Sequence, residues 1–168
     1  MTSPKPHVVC IPGPPQSHVK DVLKFARLLH HRGCYITFVN TEFNHKHFLK
    51  HLGSDSFNGF TDFRFETIPN GRPDSNDTTQ DIHFLFESRM KYFLAPFRDL
   101  LVKLNNCDTN PPVTCIVSDG VMSLVTMTAA EEIGVPIVLF NTIAASTYLG
   151  FKQFRTLVQK GLVPLKGE

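Results

Sequence analysis

The chain has 168 residues, 42% of them hydrophobic and 15 of them phenylalanine, enough to close a core and too apolar for a disordered segment. Its net charge of +2 does not suit a nucleic-acid or anionic-membrane partner. No apolar run approaches the ~20 residues of a membrane span, and the stretch before Pro12 is too short for a signal-peptide core. Cys10, Cys34, Cys107 and Cys115 show no CxxC spacing, and they read as small buried hydrophobes in a reducing compartment, the cytoplasm.

Strands and helices alternate along the chain. Val8–Ile11 is a short apolar run halted by Pro12, Pro14 and Pro15. Val19, Val22, Leu23, Ala26 and Leu29 then recur at helical spacing, with Ser17 as the expected N-cap and Gly33 as the stop. Tyr35–Val39 is a second β-rich run, followed by a short polar helix, Asn44–Leu52, and a third strand, Phe63–Ile68. Pro69–Gln80 is a polar loop where variation in binding would sit. Asp81 is expected to cap a long helix, kinked at Pro96, with Phe86, Met90, Phe93, Leu94, Phe97, Leu101 and Leu104 on one face. A fourth strand (Thr114–Ser118), a helix (Val121–Ile133) ended by Gly134, a fifth strand (Ile137–Phe140) and a last helix (Ala144–Lys160) complete the pattern.

Such alternation, with right-handed crossovers, builds an α/β fold with a doubly wound parallel sheet. In the common order 3-2-1-4-5 the first and fourth strands are neighbours, and ligands sit beyond their carboxyl ends. The loop after the first strand holds His18; the loop after the fourth holds Asp119. A neutral imidazole backed by a carboxylate is the arrangement of a general base. A solvated first-turn histidine and an aspartate N-cap fit the same spacing, so both readings stay open here. His47 and His51 lie four apart but lack a third ligand, and with Lys46 and Lys50 they read as a solvated basic face; no metal is expected. Gly13 stands alone after the first strand, so there is no GxGxxG, and neither a Walker loop nor a GxSxG elbow occurs.

KPHVVCIPGPPQSHVKDVLKFARLLHHRGCYITFVNTEFNHK resembles the amino-terminal end of plant family 1 UDP-glycosyltransferases, in particular the group acting on cyanohydrins and terpenoid or iridoid aglycones. FRFETIPNGRP, LAPFRDLLVKLN, PPVTCIVSDGVMS, AAEEIGVPIVLF and KGLVPLK continue the likeness in order. The resemblance implies a Rossmann-like domain, the amino-terminal half of a GT-B fold, incomplete over residues 1–168. It implies His18 as the base that deprotonates an acceptor hydroxyl and Asp119 as its support, with inverting transfer from a UDP-sugar, expected to be UDP-glucose, and no metal. Acceptor contacts are expected from Gly13, Gln16, Ser17, Asn141 and Thr142, and from Phe86 and Met90 of the long helix. The partner expected is a small-molecule acceptor, with no nucleic acid and no membrane span.

The chain departs from that pattern in several places. Ser17 replaces the glycine of PxQGH, Gly13 stands where an aromatic residue is common, Lys20-Asp21 replaces Asn-Pro, and Asn141 stands where tryptophan is common. There is no tryptophan, hence no HCGWNS-like segment of the kind that binds the donor in this family. The expectation is therefore an acceptor domain without its UDP-sugar domain, showing no appreciable transfer alone. The alternative is a non-catalytic product that binds small ligands or a partner. The first reading also expects an incomplete sheet whose strand Ile137–Phe140 is open to association.

Overall fold

The computed structural model describes residues 5–52, 60–69 and 82–163; the side chains of 48–52 and 82–91 are not among those described. Five parallel strands form one sheet in the order β3-β2-β1-β4-β5. They are β1 (His7–Ile11), β2 (Tyr35–Thr41), β3 (Phe63–Ile68), β4 (Val113–Asp119) and β5 (Ile137–Phe140). The crossovers carry α1 (Gln16–His31), α2 (Glu42–Leu52), α3 (Ile82–Asn105) and α4 (Ser123–Ile133), and α5 (Ala145–Gln159) follows β5. This is the strand order expected from the alternation.

Side chains alternate across the strands and so supply two cores. Val9, Ile11, Val39 and Ile116 face Phe97, Leu101, Met122 and Val125 on the α3–α4 side. Val8, Cys10, Ile36 and Phe38 face Val19, Val22 and Ala26 of α1. Burial on both faces explains why these strands place apolar residues at successive positions, not only at alternate ones.

The differences from the sequence expectations fall at element ends. Helix α1 starts one residue before Ser17: Pro15 is its N-cap, with no side-chain cap bond, and the Val19 amide donates to the Pro15 carbonyl at 3.1 Å. A proline with φ near −61° already holds the chain at helix-entry geometry, so no serine cap is needed. Strand β2 runs on through Asn40 and Thr41 because both pair with β3, opposite Thr67 and Ile68. Strand β4 extends to Asp119, in register with Phe140, and a 3-10 turn, Gly120–Met122, precedes α4. Gly33 (φ 90°) and Gly134 (φ 68°) end α1 and α4 in the left-handed conformation, as their positions suggested. Pro96 lies inside α3, which continues to Asn105. The Asp81 cap and the loop beyond Pro69 lie outside the described residues. Of the four cysteines only Cys10 is fully buried; Cys34, Cys107 and Cys115 are half-buried.

His7 anchors the amino end of the sheet and is fully buried. Its Nδ1–H donates to the Pro111 carbonyl at 2.7 Å, which leaves Nε2 to accept from the Thr37 hydroxyl at 2.8 Å. Burial lowers its pKa, opposed by the Pro111 bond and assisted by nearby Arg64. A base whose pKa is lowered by folding stabilises the fold fully above its unfolded value, about 6.5, and loses that contribution as pH falls below it. Between pH 7 and 5 the urea midpoint is therefore expected to fall more steeply in the wild type than in His7→Gln; parallel slopes in the two proteins would refute the assignment. Asp62 acts in a separate window. Bonds from Lys5 and His30 hold its carboxyl down to about 2, so its contribution is lost only as pH falls below the ordinary carboxylate range.

Candidate functional site

The carboxyl ends of β1 and β4 adjoin in the sheet, with Ile11 opposite Ser118. His18 enters from the third position of α1, just past the β1 loop, and Asp119 from the last position of β4. His18 Nδ1 lies 2.8 Å from Asp119 Oδ2. The carboxylate is almost sealed, with 1% of its side chain accessible, whereas the imidazole retains 18%.

Asp119 has two roles at once. Its Oδ1 accepts from the Val121 amide at 2.9 Å and caps the 3-10 turn, while Oδ2 faces the imidazole. The residue thus caps the turn with one oxygen and contacts the imidazole with the other. Because an ionised carboxylate only accepts hydrogen bonds, Nδ1 must carry the proton when the imidazole is neutral, and Nε2 is left as the basic nitrogen. Behind Asp119, Thr126 Oγ1 donates to Ser118 Oγ at 2.7 Å and so ties α4 to the end of β4.

Gly13 is buried against the pair. A Cβ there would sit 3.2 Å from His18 Nδ1 and 3.5 Å from Asp119 Cγ, closer than ordinary packing on the histidine side. The β1–α1 loop is braced from α2, where Asn44 Nδ2 donates to the Pro14 carbonyl at 2.7 Å. Gln16 and Ser17 are exposed in the first turn of α1. Asn141 is also exposed, beyond β5, and its Oδ1 lies over Gly120, where a Cβ would collide with it. Thr142 is half-buried, and its hydroxyl lies 2.9 Å from His18 Nδ1. Phe86 and Met90 belong to α3, but their side chains are outside the described residues. His47 packs on Phe43, with ring centroids 4.4 Å apart, and the side chain of His51 is outside the described residues.

The structure thus gathers Gly13, His18, Asp119 and Thr142 at one place. The Thr142 contact to the pair was not legible from motif spacing. The signal for it is the β4–β5 register, which sets Phe140 opposite Asp119 and brings the residue two further on to the same corner. A concavity of about 400 Å³ lies at the other end of the sheet, lined by Arg27, His30, His31, Phe60, Asp62 and Phe63, well apart from this pair.

No protein-family model matches the chain. Among curated proteins, the 7-deoxyloganetin glucosyltransferase of Gardenia jasminoides is 54% identical over 165 residues, 96% of this chain and 34% of that protein. UDP-glycosyltransferase 85A1 of Arabidopsis thaliana is 52% identical over 167 residues, 99% of this chain and 34% of that one. The (R)-mandelonitrile beta-glucosyltransferase of Prunus dulcis is 48% identical over 163 residues, with 96% and 34% coverage. The chain spans about a third of the length of the curated relatives it matches. Among solved structures, a Polygonum tinctorium UDP-glucosyltransferase capable of glucosylating indoxyl superposes with a TM-score of 0.73 at 20% identity, over 95% of this chain and 35% of that one. Phytolacca americana UGT2, complexed with UDP-2fluoro-glucose and pterostilbene, gives 0.71 at 18% identity, over 95% and 36%. At these identities the structural likeness is one of fold.

Proposed function

We propose that this chain, which belongs to the plant UDP-glycosyltransferases, supplies the acceptor-binding, base-carrying part of a small-molecule glucosyltransferase. Its five-stranded parallel sheet is that of the first third of a GT-B enzyme. The observation that carries the proposal is the His18–Asp119 hydrogen bond at the carboxyl ends of β1 and β4. That bond directs the Nδ1 proton inward and keeps Nε2 free to take a proton.

In the proposed reaction Nε2 removes the proton from an acceptor hydroxyl as its oxygen attacks the anomeric carbon of a UDP-sugar. The C–O bond to UDP breaks on the opposite face, with inversion, and UDP leaves. Asp119 stabilises the imidazolium that forms. UDP-glucose is the proposed donor, since relatives are named as glucosyltransferases. The proposed acceptor is a small, largely apolar alcohol, in line with the compounds named in those relatives. Gly13, Gln16, Ser17, Asn141 and Thr142 are proposed to contact the acceptor, as are Phe86 and Met90 of α3. The proposed site of action is the cytoplasm, which suits four cysteines that are all free thiols.

A chimera tests this directly. The 168 residues are joined to the remaining part of the Gardenia relative, with the intact Gardenia relative as a control. UDP release from UDP-glucose, dependent on an added alcohol, is the expected result. A folded, UDP-binding chimera that turns over no alcohol, beside an active control, would rule the proposal out.

The β5 margin separates this proposal from a second reading, a non-catalytic product that binds small ligands or a partner. Val138 and Leu139 are 50% and 41% exposed, and α5 buries none of its residues, leaving Leu149, Phe151 and Phe154 in the open. An uncovered parallel edge beside an apolar helix is open to association, as the acceptor-domain reading expects. Size-exclusion chromatography is expected to show association of the 168-residue chain. A soluble, concentration-independent monomer would favour the second reading.

A further inference from the structure

We propose that Thr142 is a positioning residue for the His18–Asp119 pair, its hydroxyl selecting the ring orientation that turns Nε2 outward. The inference rests on the reading of His18 as a base, and its chemistry is local to this chain. Three atoms close a triangle. Thr142 Oγ1 is 2.9 Å from His18 Nδ1 and 3.4 Å from Asp119 Oδ2, and Nδ1 is 2.8 Å from Oδ2.

Two hydrogens occupy that triangle. Nδ1–H is shared between Oδ2 and the Thr142 oxygen, because the carboxylate can only accept. Nδ1, already protonated, cannot accept in return, so the hydroxyl hydrogen goes to Oδ2. Asp119 is then held at both oxygens, Oδ1 by the Val121 amide and Oδ2 by His18 and Thr142. Turning the imidazole over would set a C–H against both Oδ2 and Oγ1 and lose both contacts.

A mobile water could fill the same place, but it would not be fixed in direction. Thr142 is fixed by the fold: it follows β5, two residues beyond Phe140, which stands in register with Asp119. The next helix, α5, starts at Ala145, so the hydroxyl is set between two elements.

The test is ¹⁵N NMR of the histidine side chains in the 168-residue chain, at a pH where His18 is neutral. In the wild type and in Thr142→Ser, His18 is expected to show one ring state, with Nδ1 protonated and Nε2 bare. In Thr142→Val, which keeps the shape and removes the hydroxyl, the minor Nε2–H form should rise about three- to tenfold, the range that one lost neutral hydrogen bond allows. Rescue by serine but not by valine separates the hydroxyl from mere packing. Should valine disturb the fold, Thr142→Ala is read the same way. A His18 spectrum unchanged by removing the hydroxyl overturns the proposal. The spectrum is recorded on the chain itself, so a chimera that fails to transfer glucose leaves the role of Thr142 in setting the ring unaffected.

Discussion

Replacing His18 by alanine is expected to lower the turnover of the glucosyl-transferring chimera by about two to four orders of magnitude, the usual worth of a positioned general base. In the proposed reaction the alcohol must lose its proton as its oxygen attacks. Without Nε2 only water can take that proton, and water is a weak base that the site does not orient. The loss should appear mainly in kcat, because the base acts in the transition state more than in binding. Asp119→Asn is expected to fall between the alanine variant and the wild type. The amide keeps the shape of the carboxylate, but it no longer stabilises an imidazolium and can present an N–H to Nδ1. Initial rates at saturating UDP-glucose, with circular dichroism to show that the variants fold, decide the matter. A His18→Ala chimera within about threefold of the parent would leave the base assignment without support, since a positioned base is worth far more.

Phe97→Ala is expected to destabilise the fold by about 3–5 kcal/mol, the range for deleting a buried aromatic ring. Phe97 is fully buried between α3 and the sheet, in the cluster with Leu101, Ile116 and Met122. Domains of this size hold roughly 5–15 kcal/mol in total, so the variant would lose a large share of its margin. Phe154→Ala is the matched control. That ring lies on α5 and is 56% exposed, so its removal should change stability by no more than about 0.5 kcal/mol. Urea unfolding of both variants measures the contrast. Equal midpoints would mean either that α3 does not pack as described or that α5 is covered in solution.

Much of the fold was legible in the chain because the strands carry short apolar runs that feed both cores. The runs at Val8–Ile11 and Ile137–Phe140 and the helical spacing of Val19, Val22, Leu23 and Ala26 needed only local pattern to find. The ends were harder, for a physical reason. Asn40, Thr41 and Asp119 are polar, and they belong to strands only because a neighbouring strand pairs with their backbones. Ser17 looked like a cap by residue type, yet the proline before it had already set the helix entry.

The candidate site divides along the same line. His18 and Asp119 could be paired from element order, because doubly wound sheets place the first and fourth strands side by side. Thr142 could be placed near that corner only through family likeness, and its hydroxyl contact depends on a register between β4 and β5 that no local pattern encodes. Nor did spacing reveal that Asp119 would divide its oxygens between a turn and an imidazole. By itself the sequence determined where the strands and helices lie and that His18 and Asp119 belong to the same end of the sheet. Only the tertiary structure decided how those groups are held, because hydrogen-bond geometry is set by backbone register to within a fraction of an ångström, whereas hydrophobic patterning specifies no more than which face of an element is buried.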